Sequence, residues 1–236
     1  LQRFAVRTEL LSGPRKELSL PEDARFVVVG EESNAAEVCA ALKNRGIHAA
    51  SVSAGEANDF TGALHGLILL TPTHSSVLEA FKQMQKSGQA LREAGGLLAA
   101  ATRLDGAFGF GAQEIESPDS GGLAGLVKTA GHEWPEVSYK VIDTNADVTA
   151  ERIVDELLLA GPVEVGLSDK DAETCRVVLE EDPGETGEAE FPFTSEDVIV
   201  ITGGARGVTA EVGVALARIA QPRLVLLGRS PAPSTE

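Results

Sequence analysis

The residues best suited to chemistry follow an apolar run near the end of the chain. Residues 202–209 read Thr-Gly-Gly-Ala-Arg-Gly-Val-Thr, between a predicted strand at 198–201 and a predicted helix at 208–220. Glycines without Cβ let the backbone approach a phosphate, and a helix N terminus offers free N–H groups and partial positive charge. Arg206 adds a full charge. The pattern therefore predicts a site for a phosphorylated dinucleotide.

The next predicted strand, at 224–227, indicates which dinucleotide this would be. It is followed by Gly228, Arg229 and Ser230. An acidic residue after this strand would favour the ribose hydroxyl of NAD, whereas a guanidinium suits a 2′-phosphate, so we expect NADPH. The predicted cofactor-binding residues are Thr202, Gly203, Gly204, Ala205, Arg206, Gly207, Val208, Gly228, Arg229 and Ser230. The alternative is a tight strand-to-helix turn whose glycines serve packing alone.

The chain offers no matching proton donor for hydride transfer to a carbonyl. Such a donor is commonly a tyrosine assisted by lysine and serine. The single tyrosine, Tyr139, is followed by Lys140, lies on a predicted buried strand and has Asp143 four residues on, where a lysine would be needed. We therefore predict that Tyr139 is a core or edge residue, and we expect no catalytic residue in this chain.

Other reactive side chains are scattered. His48, His65, His74 and His132 show no metal-ligand spacing, and Cys39 and Cys175 are too far apart to suggest a metal site or disulfide framework. We expect no metal and a reducing, cytoplasmic location. The pair Ser75-Ser76 is interpreted as a helix cap.

Strand and helix patterns alternate through the first 180 residues. Residues 4–11 alternate weakly, as in an edge strand, whereas residues 25–29 are apolar on both faces, as in a buried parallel strand. We predict an α/β fold for residues 1–180: a Rossmann-like, truncated doubly wound parallel sheet. Asp143 would end a strand at the carboxyl edge, where ligands bind in open sheets.

We expect no cofactor in this first domain. The turn after the first buried strand, Gly30-Glu31-Glu32-Ser33, places two carboxylates where a pyrophosphate would lie. Ser33 or Asn34 is predicted to cap the helix that follows. The segment from Arg103 to Ser120 is rich in glycine and aspartate and predicts a long loop.

An acidic segment separates this domain from the rest. Residues 180–190 hold six acidic residues in eleven, with one proline and two glycines, and we predict a solvated linker over 181–196. Residues 197–236 then show one strand–helix–strand unit. This predicts the first βαβ unit of a second Rossmann fold. Because the chain begins without Met and stops abruptly, we expect a piece of a longer protein.

The composition excludes several kinds of partner. The 236 residues include 20 basic and 36 acidic side chains, for a net charge of −16. Such a chain should repel nucleic acid and anionic membranes. Its longest apolar stretches are well short of the roughly 20 residues of a membrane span.

The order of these features resembles the ketoreductase domain of polyketide and fatty acid megasynthases. In that family, a structural subdomain precedes a catalytic subdomain of the short-chain dehydrogenase/reductase type. Residues 121–129, 132–135, 141–143 and 198–230 are also similar, and the loop Gly-Gly-Ala-Arg-Gly-Val-Thr-Ala-Glu is most like that of polyunsaturated fatty acid synthases. Thr209 departs from the pattern, since most ketoreductases carry a last glycine there.

The resemblance implies NADPH-dependent reduction of a β-ketoacyl group, held on an acyl carrier protein, to the β-hydroxyacyl form. Other domains of the synthase and the rest of the catalytic subdomain would be partners. The family's Lys, Ser, Tyr and Asn would lie beyond Glu236, so we expect this chain alone not to reduce ketones.

Two alternatives remain open. The chain could be a scaffold, an α/β module that braces neighbouring domains and binds no nucleotide. It could also be a free-standing flavodoxin-like or response-regulator-like protein, which predicts an acidic or phosphate site after Val29 but leaves the glycine loop at 202–209 unexplained.

Overall fold

The computed structural model describes residues 4–53, 62–70, 77–111, 115, 118–168, 173–182 and 191–229. The chain divides into two compact units, Leu1–Asp182 and Pro183–Glu236. Within the described residues, the first unit contains β1 (Phe4–Leu10), β2 (Arg25–Val29), α1 (Glu32–Asn44), β3 (His48–Val52), β4 (Gly66–Leu70), α2 (Val77–Glu93), β5 (Leu97–Thr102), α3 (Gly121–Glu133), β6 (Ser138–Thr144), α4 (Ala150–Leu157), β7 (Glu164–Leu167) and β8 (Thr174–Glu181).

The strands of the first unit form one sheet in the order β3-β2-β4-β5-β6-β7-β8-β1. Strands β2 to β7 pair in parallel, and β8 is antiparallel to both β7 and β1. After β3 the chain returns past β2 to begin β4, which is the order of a doubly wound sheet. The predicted α/β, Rossmann-like fold is confirmed, and β1 is the edge strand that the weak alternation of its sequence predicts.

Helices cover both faces of this sheet, which explains why its central strands are apolar on both sides. Helices α1 and α4 pack on one face, against side chains that include Phe26, Val28, Ile68, Ala99 and Ile142. Helices α2 and α3 pack on the other face, against side chains that include Val27, Leu67, Leu69, Leu98 and Val141.

Tyr139 is part of this packing. Its ring lies against α3, where a Cβ added to Gly131 would come within 2.2 Å of the ring. The tyrosine is half-buried beside the core of the α2–α3 face. Its placement agrees with a packing role at the edge of the core.

Three charged side chains are joined beneath α4. Glu156 is 4% exposed and accepts two hydrogen bonds from the guanidinium of Arg15, at 2.6 and 2.5 Å. Lys140 on β6 donates to the Glu156 carboxylate at 2.9 Å and to the backbone carbonyls of Glu156 and Leu159. Burial lowers the pKa of Lys140, and the hydrogen bond to Glu156 opposes that change.

This cluster fixes the segment that leads from β1 to β2. Leu18 donates its N–H to Leu158 O at 2.7 Å, and Ala160 donates to Lys16 O at 2.8 Å. The segment therefore lies against the end of α4, with Arg15 as its electrostatic anchor.

We predict that Glu156→Gln lowers the free energy of unfolding by about 3 kcal/mol, because the buried Lys140 and the partly buried Arg15 lose their counter-charge. Glu164→Gln is the matched control. Glu164 pairs with Lys128 at 2.6 Å, but the two side chains are 23% and 38% exposed. Its loss should cost less than about 1 kcal/mol. Equal costs in denaturant unfolding would contradict a special role for the cluster.

The second unit contains β9 (Val198–Thr202), α5 (Gly207–Ile219) and β10 (Arg223–Leu227). The two strands pair in parallel, and Thr202 lies beside Leu227. Ile201 approaches Gly213 of α5, whereas Val198, Val200, Val225 and Leu227 are each between 43% and 58% exposed. Because paired residues share a face, these four side chains lie together on the side opposite to α5.

One local expectation is wrong. The N-cap of α1 is Glu31, whose side chain makes no capping hydrogen bond, so neither Ser33 nor Asn34 caps this helix. Strand β8 extends through Glu181, which pairs with Phe4 of β1. The predicted cap at Ser75-Ser76 and residues 183–190 of the predicted linker lie outside the described residues. In the described part of the chain, no helix has the length and apolar character needed to cross a membrane.

Candidate functional site

The glycine loop forms the turn from β9 into α5. Gly203 follows the strand with φ +70° and donates its N–H to Leu227 O of β10 at 2.7 Å. Gly207 begins the helix with φ +58°. Residues with a Cβ rarely adopt such a positive φ, so the backbone conformation at both positions favours glycine. The turn therefore depends on the positive φ angles that glycine allows at these two positions.

The third glycine in the turn has a different role. A Cβ at Gly204 would lie 2.7 Å from Leu226 Cδ2 and 3.0 Å from Ile201 Cγ2, so this glycine lets the turn pack against the strands. At Gly203 and Gly207, by contrast, an added Cβ would meet no atom of the described residues within 4 Å. Close packing explains why residue 204 is a glycine. It does not explain the glycines at 203 and 207, which face open space.

The first turn of α5 faces solvent. Arg206 is the N-cap in extended conformation, and its carbonyl accepts the N–H of Ala210 at 3.4 Å. The N–H groups of Gly207, Val208 and Thr209 precede this bond and have no acceptor inside the helix. Val208 is 81% exposed. An anion could therefore reach these N–H groups, where the helix dipole favours negative charge.

The strand register brings the two predicted halves of the site to one edge. Since Thr202 pairs with Leu227, the loop and the Gly228-Arg229 segment both begin at the carboxyl ends of their strands. Thr202, Ala205, Arg206, Gly228 and Arg229 are all exposed. Ser230 lies outside the described residues.

The carboxyl edge of the first unit is arranged differently. Asp143, at 0% exposure, accepts hydrogen bonds from Thr102 Oγ1 at 2.7 Å and from the N–H groups of Leu104, Gly106 and Phe108 at 2.9 Å each. The N–H of Asp105 adds a fifth bond at 3.3 Å. This carboxylate thus organises the loop after β5, although its position at the end of a predicted strand had suggested ligand binding.

Asp105 repeats the arrangement within the same loop. Its carboxylate accepts the N–H groups of Ala107, Gly109 and Gly111, each at 2.8 Å. Sequence reasoning missed this structural pair. The available signal was Asp143 at a strand end together with a glycine-rich segment beginning at Asp105.

We predict that Asp143→Asn lowers the free energy of unfolding by about 2–4 kcal/mol, since one amide oxygen cannot replace a charged acceptor of five bonds. Hydrogen exchange at the N–H groups of Leu104, Gly106 and Phe108 should accelerate. The control is Asp147→Asn, at an exposed carboxylate. Unchanged exchange in Asp143→Asn would show that the loop holds itself without this carboxylate.

The remaining sequence candidates do not converge on a second site. Gly30 serves packing, because a Cβ there would lie 2.9 Å from Leu70 Cβ, and acidic Glu31 and Glu32 begin α1. Cys39 is buried, and burial raises the pKa of its thiol. His74 lies outside the described residues. Within those residues, no group of three or more His, Cys, Asp and Glu side chains is placed to hold a metal ion.

Solved structures share this architecture. A C2-type ketoreductase from a modular polyketide synthase matches with a TM-score of 0.67 and 19% identity, over 98% of this chain and 55% of that chain. An A-type ketoreductase from a modular polyketide synthase matches with a TM-score of 0.66 and 19% identity, over 97% of this chain and 53% of that chain. The chain has a ketoreductase fold. It spans about half the length of these ketoreductases.

A sequence relative agrees with the resemblance to megasynthases. One of the subunits of the polyunsaturated fatty acid synthase of a Thraustochytrium species is 33% identical over 147 residues, which are 57% of this chain and 5% of that protein. A comparison with models of protein families finds no match. The expected resemblance to ketoreductases of polyketide and polyunsaturated fatty acid synthases is confirmed.

Proposed function

We propose that this chain is part of an NADPH-dependent β-ketoacyl reductase of a polyunsaturated fatty acid or polyketide synthase. The observation that carries the proposal is the open glycine turn at the start of α5, with Arg229 at the same edge. The ketoreductase fold and the synthase relative support it. In this proposal residues 1–180 are the structural subdomain, 181–196 a linker, and 197–236 the first part of the catalytic subdomain.

The residues of the turn fit a phosphorylated dinucleotide. The space in front of Gly203 and Gly207 lets the pyrophosphate approach the backbone, and the first N–H groups of α5 point to its charge. Arg229 would pair with the 2′-phosphate, and Arg206 would add positive charge beside the turn. When bound, NADPH supplies a hydride to the β-ketone.

The substrate and partners follow from the synthase context. We propose that the acyl group arrives as a thioester on an acyl carrier protein and that other synthase domains flank this chain. The exposed apolar face of β9 and β10 supports a further partner, since a two-stranded sheet with one covered face is marginally stable alone. We propose that the rest of the catalytic subdomain covers this face.

Cofactor binding can be tested by titrating NADPH into the chain, and into a longer version carrying the rest of the reductase, while following nicotinamide fluorescence. We predict saturable binding that weakens about tenfold in Arg229→Ala, through loss of a charge-assisted hydrogen bond. NADH, which lacks the 2′-phosphate, should respond far less to this substitution.

Arg218→Ala is the matched control for this titration. Arg218 is an exposed arginine in the last turn of α5, at the opposite end of the helix from the glycine turn. Its substitution should leave NADPH affinity unchanged. An equal loss in both variants, or no binding even in the longer version, would contradict an NADPH site at the turn.

We further predict that this chain alone gives no turnover with NADPH and a β-ketoacyl thioester. Tyr139, the single tyrosine, lies against Gly131, and Lys140 is buried in contact with Glu156. We therefore expect neither side chain to serve as the proton donor that carbonyl reduction needs. NADPH consumption above background in an absorbance assay would overturn this prediction.

A scaffold remains the second candidate function. It is favoured by the carboxyl edge of the first unit, where Asp143 and Asp105 are engaged in holding their own loop. The NADPH titration distinguishes the two functions. A scaffold should not bind NADPH either as this chain or as its longer version.

A further inference from the structure

The eight-stranded sheet has a free edge at β1. Strand β1 is last in the strand order, and among the described residues no strand pairs with its outer side. Leu11, just after β1, donates its N–H to Thr174 O at 2.8 Å, so the odd-numbered residues of β1 direct their backbone groups to β8. In an antiparallel ladder, the intervening residues direct theirs the opposite way. Residues 4, 6, 8 and 10 therefore offer N–H and C=O groups to an additional strand.

One face of this edge strand is apolar and exposed. Phe4, Val6 and Leu10 are 48%, 43% and 66% exposed. The register places Val6 beside Leu179 of β8, which is 68% exposed. The strand carries neither proline nor lysine, two residues that commonly protect an edge from pairing, and its charged side chains are limited to Arg7 and Glu9. Both its backbone and its apolar face thus favour pairing with another strand.

The opposite face carries an ordered pattern of charges. Arg7 pairs with Glu180 at 2.5 Å, and Glu9 pairs with Arg176 at 2.6 Å. These side chains are between 46% and 65% exposed. Within β1 itself, Arg7 and Glu9 flank Thr8 symmetrically, so the strand has one positive and one negative charge around a central residue.

This pattern is complementary to itself when a two-fold axis passes through Thr8. With a two-fold axis at Thr8, Arg7 of each copy lies opposite Glu9 of the other, and Val6 lies opposite Leu10. An axis at Arg7 would place two arginines opposite each other, and an axis at Glu9 would place two glutamates opposite each other, which is unfavourable. In the Thr8 register, the outward backbone groups of Thr8, Val6 and Leu10 all find partners.

We propose that β1 joins two copies of this chain by antiparallel pairing about Thr8. The contact is isologous, as expected of a two-fold dimer, and extends two eight-stranded sheets into one. Each cross-strand pair of Arg7 and Glu9 continues into Glu180 and Arg176, which gives an alternating row of charges. Because a single strand pair lies at the small end of interface sizes, the dimer should be weak and concentration-dependent.

The first test uses sedimentation equilibrium of the whole chain from about 1 to about 100 μM, a range suited to weak dimers. Thr8→Pro removes an outward N–H without touching the ladder to β8 and should weaken association at least tenfold. Thr8→Val keeps the N–H and is the matched control, which should dimerise as the unchanged chain does.

The second test does not depend on proline being tolerated. Arg7→Glu gives a strand with two glutamates, and Glu9→Arg gives a strand with two arginines. Each variant alone should be monomeric, because like charges then face each other across the axis. Mixed one to one, they should associate, since each Glu of one meets an Arg of the other.

Three results would overturn the proposal. The first is an unchanged chain that stays monomeric over the whole concentration range. The second is a dimer that persists in Thr8→Pro with the chain's far-ultraviolet circular dichroism unchanged, which would place the contact elsewhere, for example on the exposed face of β9 and β10. The third is a mixture of the two charge variants that remains monomeric. None of these outcomes bears on NADPH binding, which is measured separately.

Discussion

Burying charge is the constraint on which the first unit depends. Lys140 is on a central strand, 4% exposed, where an unpaired ammonium would be costly. Glu156 supplies the counter-charge from α4, and Arg15 supplies a second cation from the segment between β1 and β2. One carboxylate thereby fixes the position of a helix on the sheet and the path of the chain that connects the free-edge strand to the sheet interior.

The loops at the carboxyl ends of the parallel strands use their backbone N–H groups differently in the two units. In the first unit, loop N–H groups turn inward to Asp143 and Asp105, so backbone donors that could bind a ligand are used internally. In the second unit, the glycine turn holds no such carboxylate among the described residues, and the first N–H groups of α5 remain available. This difference supports the proposed division into a structural subdomain and the first part of a catalytic subdomain.

The exposed apolar side chains of β1 and those of β9 and β10 call for different explanations. The uncovered face of β9 and β10 belongs to a strand pair too small to be stable by itself, and completing its sheet would cover that face. The apolar side of β1 belongs to a sheet that is already large and well packed. There, the symmetric placement of Arg7 and Glu9 around Thr8 favours a second copy over an unrelated surface.

The sequence by itself determined the elements and their class, because apolar periodicity and turn residues act locally. It therefore predicted the alternation that yields a doubly wound sheet, the edge position of β1, the turn at Gly203 and the cation at Arg229. Only the tertiary structure decided what Asp143, Asp105, Glu156 and Lys140 do, since each finds its partners at distant positions in the chain. The start of α1 was also not predicted, since Ser33 or Asn34 had suggested a cap and Glu31 is the N-cap instead. A buried polar group must be paired, but the identity of its partner is set by the fold.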